Sequence, residues 1–167
     1  RDSDSALAAI QAAETGHLVI STLHTIDAME TINRTLDLFP PEQQREIRSS
    51  FAGALRGIVS QRLVTRADGK GRVPVVEVLV NTGRVFDRIV DPDETSGILE
   101  VIQGGEFYGM QTFDQALVKL VKEGVVSPDE ARRTATNPHD FDLALHGTFE
   151  RRAAFDEAEA ASESLPY

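Results

Sequence analysis

Cysteine is missing from all 167 residues. That removes a disulfide framework, a thiol nucleophile and a cysteine-type zinc site together, and it is compatible with a reducing cytoplasm. No apolar run reaches the roughly 18 residues that a membrane-spanning helix needs, and no basic-then-apolar leader opens the chain, so we expect a soluble protein with no membrane-spanning segment. Basic side chains are in deficit: 17 Lys and Arg against 27 Asp and Glu leave a formal charge of −10. Such a balance argues against nucleic acid as a partner, while local basic sites remain open. A glycine-rich phosphate loop of the form G-x-x-x-x-G-K-[ST] is absent, and Gly69-Lys70-Gly71 reads as a turn. A nucleophile elbow carrying a Ser-His-Asp set is absent too. What is present is 41% hydrophobic, enough to bury a core in about one domain by length. The chain opens on Arg1, and its only methionines are Met29 and Met110, from which we expect a piece of a longer polypeptide.

The apolar periodicity predicts mostly helix. Ala6, Leu7, Ile10 and Ala13 follow Asp and Ser capping candidates and stop at Thr15-Gly16, which reads as a short first helix. His17 to His24 is an apolar run without strict alternation, the pattern of a strand buried on both faces of a parallel sheet. Asp27 and Glu30 have capping-box spacing, and Met29, Ile32, Leu36 and Phe39 form a stripe ending at Pro40-Pro41. Ile47, Phe51, Leu55, Ile58 and Val59 keep helical spacing, predicting one long helix from Glu42 to about Val64. Ala67 to Gly71 is turn chemistry, and Val73 to Val80 reads as a strand with Pro74 at an edge or at its start. Helices are predicted over Thr82–Val90 and Asp93–Gln103, the second ending at Gly104-Gly105. A further helix follows the Thr112–Gln115 capping box and closes at Gly124, and a short one follows Ser127-Pro128 and stops before Asn137-Pro138. After Gly147 the composition turns to Arg, Ala, Glu and Ser, and we expect a frayed helix or a disordered tail. No internal repeat is visible.

Several polar residues are candidates for chemistry. His17 and His24 lie seven apart, so on a strand they face opposite sides, which argues against a shared metal site. His24 stands where the strand gives way to a capped helix, and ligands of open α/β sheets bind at the carboxyl ends of strands. An imidazole there can donate to a phosphate oxygen. Arg34, inside the second helix, and Arg62, ending the long helix, are either solvated surface residues or contacts to a phosphate or an interface. Asp2, Asp4 and Glu14 could back the ligands of a metal, but capping and the helix dipole explain acidic first-turn residues, above all Asp4. His139 and His146, beside Asp140 and Asp142, read as late-loop residues, and no metal ligand is assigned.

The segment Ala13-Glu-Thr-Gly-His17-Leu-Val-Ile-Ser-Thr-Leu-His24-Thr closely resembles the histidine box of the type II/IV secretion ATPases, and Arg1-Asp2 resembles the end of their Gly-Glu-x-Arg-Asp segment. The likeness continues through Ala28, Ile32-Asn-Arg34, Asp37-Leu-Phe-Pro40, Ile58-Val-Ser-Gln61-Arg-Leu63 and Gly109-Met-Gln-Thr112 to the Gly124 cap, covering roughly residues 1–142. Assembly and type II secretion members of that family carry a four-cysteine zinc module after Gln-Arg-Leu. Here about ten cysteine-free residues separate Leu63 from Val73, which favours the twitching-motility, pilus-retraction branch. The Thr82–Val90 helix takes the place of that branch's retraction motif, keeping Arg84 and Arg88 but not the closing Glu.

The resemblance implies an α/β fold: the C-terminal half of a RecA-like P-loop ATPase core over residues 1–91, a helical C-terminal region over 92–146, and an acidic, flexible tail over 147–167 that has no counterpart in the family. It implies a homo-hexameric motor using ATP and Mg²⁺, cytoplasmic and peripheral at the inner face of the cytoplasmic membrane, against a pilus-base inner-membrane platform protein. The phosphate loop and Walker B glutamate would lie upstream of Arg1, leaving this portion inactive alone. His24 would sense the γ-phosphate, His17 would start the same box, Arg34 would approach the nucleotide or a neighbouring subunit, and Asp2 would support the Walker B end. Arg84 and Arg88 would serve the motor motif. Two other readings stand beside this one: an extension or secretion ATPase lacking the zinc module, and a non-catalytic helical interaction module.

Overall fold

The computed structural model describes residues 2–147. In chain order its elements are α1 (Ser3–Glu14), α2 (Ala28–Leu36), α3 (Pro41–Ala54), β1 (Gly57–Thr65), β2 (Arg72–Val80), α4 (Gly83–Val90), a 3₁₀ turn (Thr95–Gly97), α5 (Ile98–Gln103), a second 3₁₀ turn (Glu106–Tyr108), α6 (Phe113–Lys122) and α7 (Pro128–Thr134). Residues 138–147 are also helical. The chain divides into two compact units, one of the residues up to Leu63 with Pro74–Thr112, the other of Val64–Val73 with the chain from Phe113 onward.

In the first unit, the apolar stripes of α2, α3, α4 and α5 meet the inward face of the hairpin. Ile32, Leu36, Leu79, Val85, Ile89 and Ile98 belong to one buried cluster, each side chain contributing about 1.5–3 kcal/mol by leaving water. β1 and β2 form the two-stranded sheet. The N–H of Arg66 donates to Gly71 O at 3.1 Å and that of Asn81 to Arg56 O at 3.0 Å, an antiparallel register in which Gly57 faces Val80 and Thr65 faces Arg72. Gly57 is obligatory there, because a Cβ would sit 2.8 Å from the carbonyl oxygen of Leu79. On the other edge of β2, Gln111 exchanges backbone bonds with Val78 at 2.9 and 3.1 Å.

In the second unit, the buried residues include Val64, Phe113, Leu117, Val126, Ala131 and Phe141. Polar ties fix its loops: Ala67 N–H donates to Val125 O at 2.8 Å, and Asp114 accepts from the N–H groups of Thr136 and Asn137 at 2.7 and 3.0 Å. Ser127 caps α7 with Pro128 in its first turn, as its sequence predicts.

Four expectations are corrected. The predicted long helix ends at Ala54, and Ile58 to Thr65, with Arg62, belong to strand β1. Leu55, Ile58 and Val59 fit helical spacing, but the burial of β1 alternates, with Ile58, Ser60 and Val64 inward. Asn81 secures the break by donating Nδ2 to the carbonyls of Ala52 and Leu55, each at 2.8 Å. The predicted strand at His17–His24 is extended chain without strand pairing. Among the described residues no strand lies beside it, and Leu18 and Ile20 are 79% and 84% exposed. The helix expected from Asp93 begins as the 3₁₀ turn at Thr95. Finally, His139 and His146 are helical: Asn137 Oδ1 caps the N–H groups of His139 and Asp140 at 3.1 and 3.3 Å, so Asn137-Pro138 opens a helix. The tail expected after Gly147 lies, apart from Gly147 itself, outside the described residues.

Candidate functional site

The site is built where the extended histidine segment enters α2. Asp27 has extended backbone and its carboxylate accepts the N–H of Glu30 at 2.7 Å, which starts the helix. Glu30 reaches back with Oε2 to the N–H of Ile26 at 2.7 Å. Glu77, on β2 and 3% exposed, accepts the N–H of Ala28 at 2.9 Å. A buried carboxylate needs such partners to offset its lost hydration, and the positive end of a helix dipole supplies one. Three carboxylates of this chain therefore occupy the N-terminus of α2. An anionic ligand would meet these three carboxylates there, and recognition falls to the side chains around it.

Those side chains are His24 and Arg34, which the structure brings together. Arg34, in the last turn of α2, donates Nη1 to the carbonyl of His24 at 3.0 Å and lies 3.6 Å from Glu30 Oε1. The Arg34–Glu30 pair is about half exposed on both sides, so it contributes at most about 1 kcal/mol. Its geometric effect matters more: the guanidinium holds the backbone of His24, whose exposed imidazole has no hydrogen-bond partner among the described residues. The exposed imidazole and the donors that the guanidinium has left over from these contacts are each suited to an anionic oxygen.

The other predicted site residues sit elsewhere. His17 closes α1. Its backbone N–H donates to Ala12 O at 3.1 Å, Gly16 turns the chain at φ +94°, and the ring Nδ1 lies 3.1 Å from Thr15 Oγ1 and 3.3 Å from Ala12 O. Asp2 caps the start of α1 by accepting Ser5 N–H at 2.8 Å, and that bond holds its carboxyl below the usual range. On α4, Arg88 is paired with Glu94, while Arg84 is exposed and unpartnered among the described residues. His146 directs Nδ1 to Asp142 O at 2.6 Å. No group of three or more His, Asp or Glu side chains poised for a metal ion occurs among the described residues.

Sequence reasoning missed Glu77, Arg48 and Thr95. The signal for Glu77 was an acid inside the apolar run Val75-Val76-Glu77-Val78-Leu79, at a position sharing its face with Val75 and Leu79. Arg48 and Thr95 act across long sequence separations that no local pattern announces.

Residues 1–93, more than half of the chain, match the family described as type II/IV secretion system protein. The chain belongs to this family. It is 40% identical over 137 residues to a twitching motility protein of Neisseria gonorrhoeae, covering 82% of this chain and 36% of the relative. It is 38% identical over 141 residues to the type IV pilus retraction ATPase PilT of Pseudomonas aeruginosa, covering 84% and 40%. A crystal structure of the pilus retraction motor PilT with bound ADP superposes with a TM-score of 0.69 at 36% identity, covering 84% of this chain and 38% of that one. The family member described here thus has the α/β fold class of these ATPases and spans about two-fifths of the length of the curated relatives it matches. Among its described residues no helix is long and apolar enough to cross a membrane.

Proposed function

We propose that this chain is the C-terminal portion of a hexameric ATPase that powers type IV pilus retraction, with the phosphate loop and Walker B glutamate in sequence beyond residues 1–167. Residues 1–91 form the RecA-like part, residues 92–146 the helical region, and residues 147–167 an acidic extension. The observation that carries this reading is the His24–Arg34 juxtaposition, held in a chain about 40% identical over most of its length to a twitching motility protein.

In this reading His24 donates to the terminal phosphate of ATP, and Arg34 fixes its backbone while presenting the remaining donors to the nucleotide or to a neighbouring subunit. Phosphoryl transfer depends on positioning and on charge stabilisation around the phosphates. A donor such as His24 that touches the terminal phosphate before hydrolysis and loses it afterwards biases the packing of the helix whose Arg34 holds its backbone. His17 and Asp2 act through α1: they cap its two ends and set where the histidine segment begins. Mg²⁺ would be held with the phosphates by the phosphate loop and Walker B end of the full-length motor. The motor works in the cytoplasm at the inner face of the membrane, against a platform protein at the pilus base.

Calorimetry of the 167-residue chain with Mg·ATP tests the division of the site. No measurable binding is expected, and micromolar affinity would place the phosphate cradle within these residues.

A further inference from the structure

The C-terminal end of α4 is held from outside. An α-helix leaves its last carbonyls without partners inside the helix, and here two side chains from other elements take them. Arg48, on α3 and half-buried, donates Nη1 to the carbonyl of Ile89 at 2.9 Å and to Thr95 Oγ1 at 3.3 Å. The Thr95 hydroxyl, itself buried, lies 3.0 Å from Arg88 O and 3.2 Å from Asp91 O and donates to one at a time. A guanidinium at the negative end of a helix dipole adds a favourable charge term.

The same frame takes up one of the two arginines of α4. Arg88 pairs with Glu94 and lies over Gly97, where a Cβ would come within 2.9 Å of its Cζ and Nη1. Arg84, one turn earlier, stays exposed. The two arginines, alike in sequence, are therefore placed for different work: Arg88 ties α4 to the 94–97 turn, and Arg84 faces outward.

We infer that Arg48 and Thr95 are positioning residues for the motor helix α4, holding its C-terminal end so that Arg84 is presented as its contacting cation. This rests on the proposed retraction motor. Arg48→Met and Thr95→Val, made in the full-length protein, sever the brace from either side, and Thr95→Ser keeps the hydroxyl. Hydrogen exchange is expected to show protection of the α4 amides falling about tenfold in the first two variants, the scale of losing one charge-assisted bond. ATP turnover stays within about twofold while pilus retraction is lost, a split that general destabilisation does not produce. Thr95→Ser behaves as wild type. Unchanged α4 protection in both severing variants overturns the brace, and reduced protection with normal retraction overturns its positioning role. Arg84→Ala is measured alongside with loss of retraction expected; if it retracts normally, the motor reading of α4 fails whatever the exchange data say about the brace.

Discussion

Two stretches of this chain carry apolar, β-prone sequence, His17 to Ile26 and the hairpin from Gly57 to Val80, and only the hairpin is sheet. In the hairpin each strand supplies the other's backbone partners and buries one face, so Ile58, Val64, Val75 and Leu79 lie inside. The histidine segment has equally apolar side chains and no strand beside it among the described residues, and it leaves Leu18, Ile20 and Ile26 to water. Strand character is a property of pairs. Among the described residues the segment carrying His24 is therefore held by the α1 cap at His17, by Arg34 at His24 and by Glu30 at Ile26, with Leu18 and Ile20 between the first two ties left to water.

Paired truncations break this comparison most sharply. Leu79→Ala, at a position 1% exposed, is expected to cost about 2–5 kcal/mol through lost burial and a residual cavity. Ile20→Ala is expected to cost less than about 0.5 kcal/mol, as an exposed position does. Urea titration of both variants decides, and a loss at Ile20 equal to that at Leu79 would show that the histidine segment is packed after all.

A smaller effect is expected where the strands approach each other. In Gly57→Ala the new methyl meets Leu79 O, and a backbone oxygen cannot give way as a side-chain tip can. We expect about 1–3 kcal/mol of destabilisation, read as a drop in melting temperature. A neutral outcome would show that the hairpin is looser than its register implies.

The smallest effect concerns the exposed tie between α7 and the end of β1. Glu130 accepts from Arg133 at 2.8 Å and from Thr65 N–H at 3.2 Å, and these bonds, that of Arg133 first, hold its carboxyl below its ordinary value of 4.5. A lowered carboxyl contributes stability that is present above that ordinary value and is lost as pH falls through the folded one. Arg133→Ala is accordingly expected to lower stability slightly at neutral pH, with the difference from wild type shrinking as pH falls below about 4.5 and Glu130 takes up its proton in both proteins. A difference that stayed the same from neutral pH down through the acid range would contradict this tie.

The same contrast explains what was legible in the sequence. Helices α2, α4 and α7 carry their own start signals in Asp27, Thr82 and Ser127, each of which accepts the expected backbone N–H. Strand β1 was hidden because Leu55, Ile58 and Val59 satisfy helical and strand spacing at once. The histidine segment was misread because its apolar content says nothing about whether a partner strand adjoins it. Within the site, His24 and Arg34 were each legible as single candidates, but the contact between the Arg34 guanidinium and the His24 carbonyl was not, because it depends on how the extended segment enters α2. Glu77 and Arg48 were not, because their partners Ala28 and Ile89 lie 49 and 41 residues away.

The central claim is that the imidazole of His24 touches the terminal phosphate of a nucleotide held by sequence outside this portion. Steady-state ATP turnover by full-length protein carrying His24→Ala measures it most directly. The account predicts turnover about a hundredfold lower, the scale of removing one preorganised donor, with the fold intact and nucleotide affinity nearly unchanged. Wild-type turnover in that variant would contradict it.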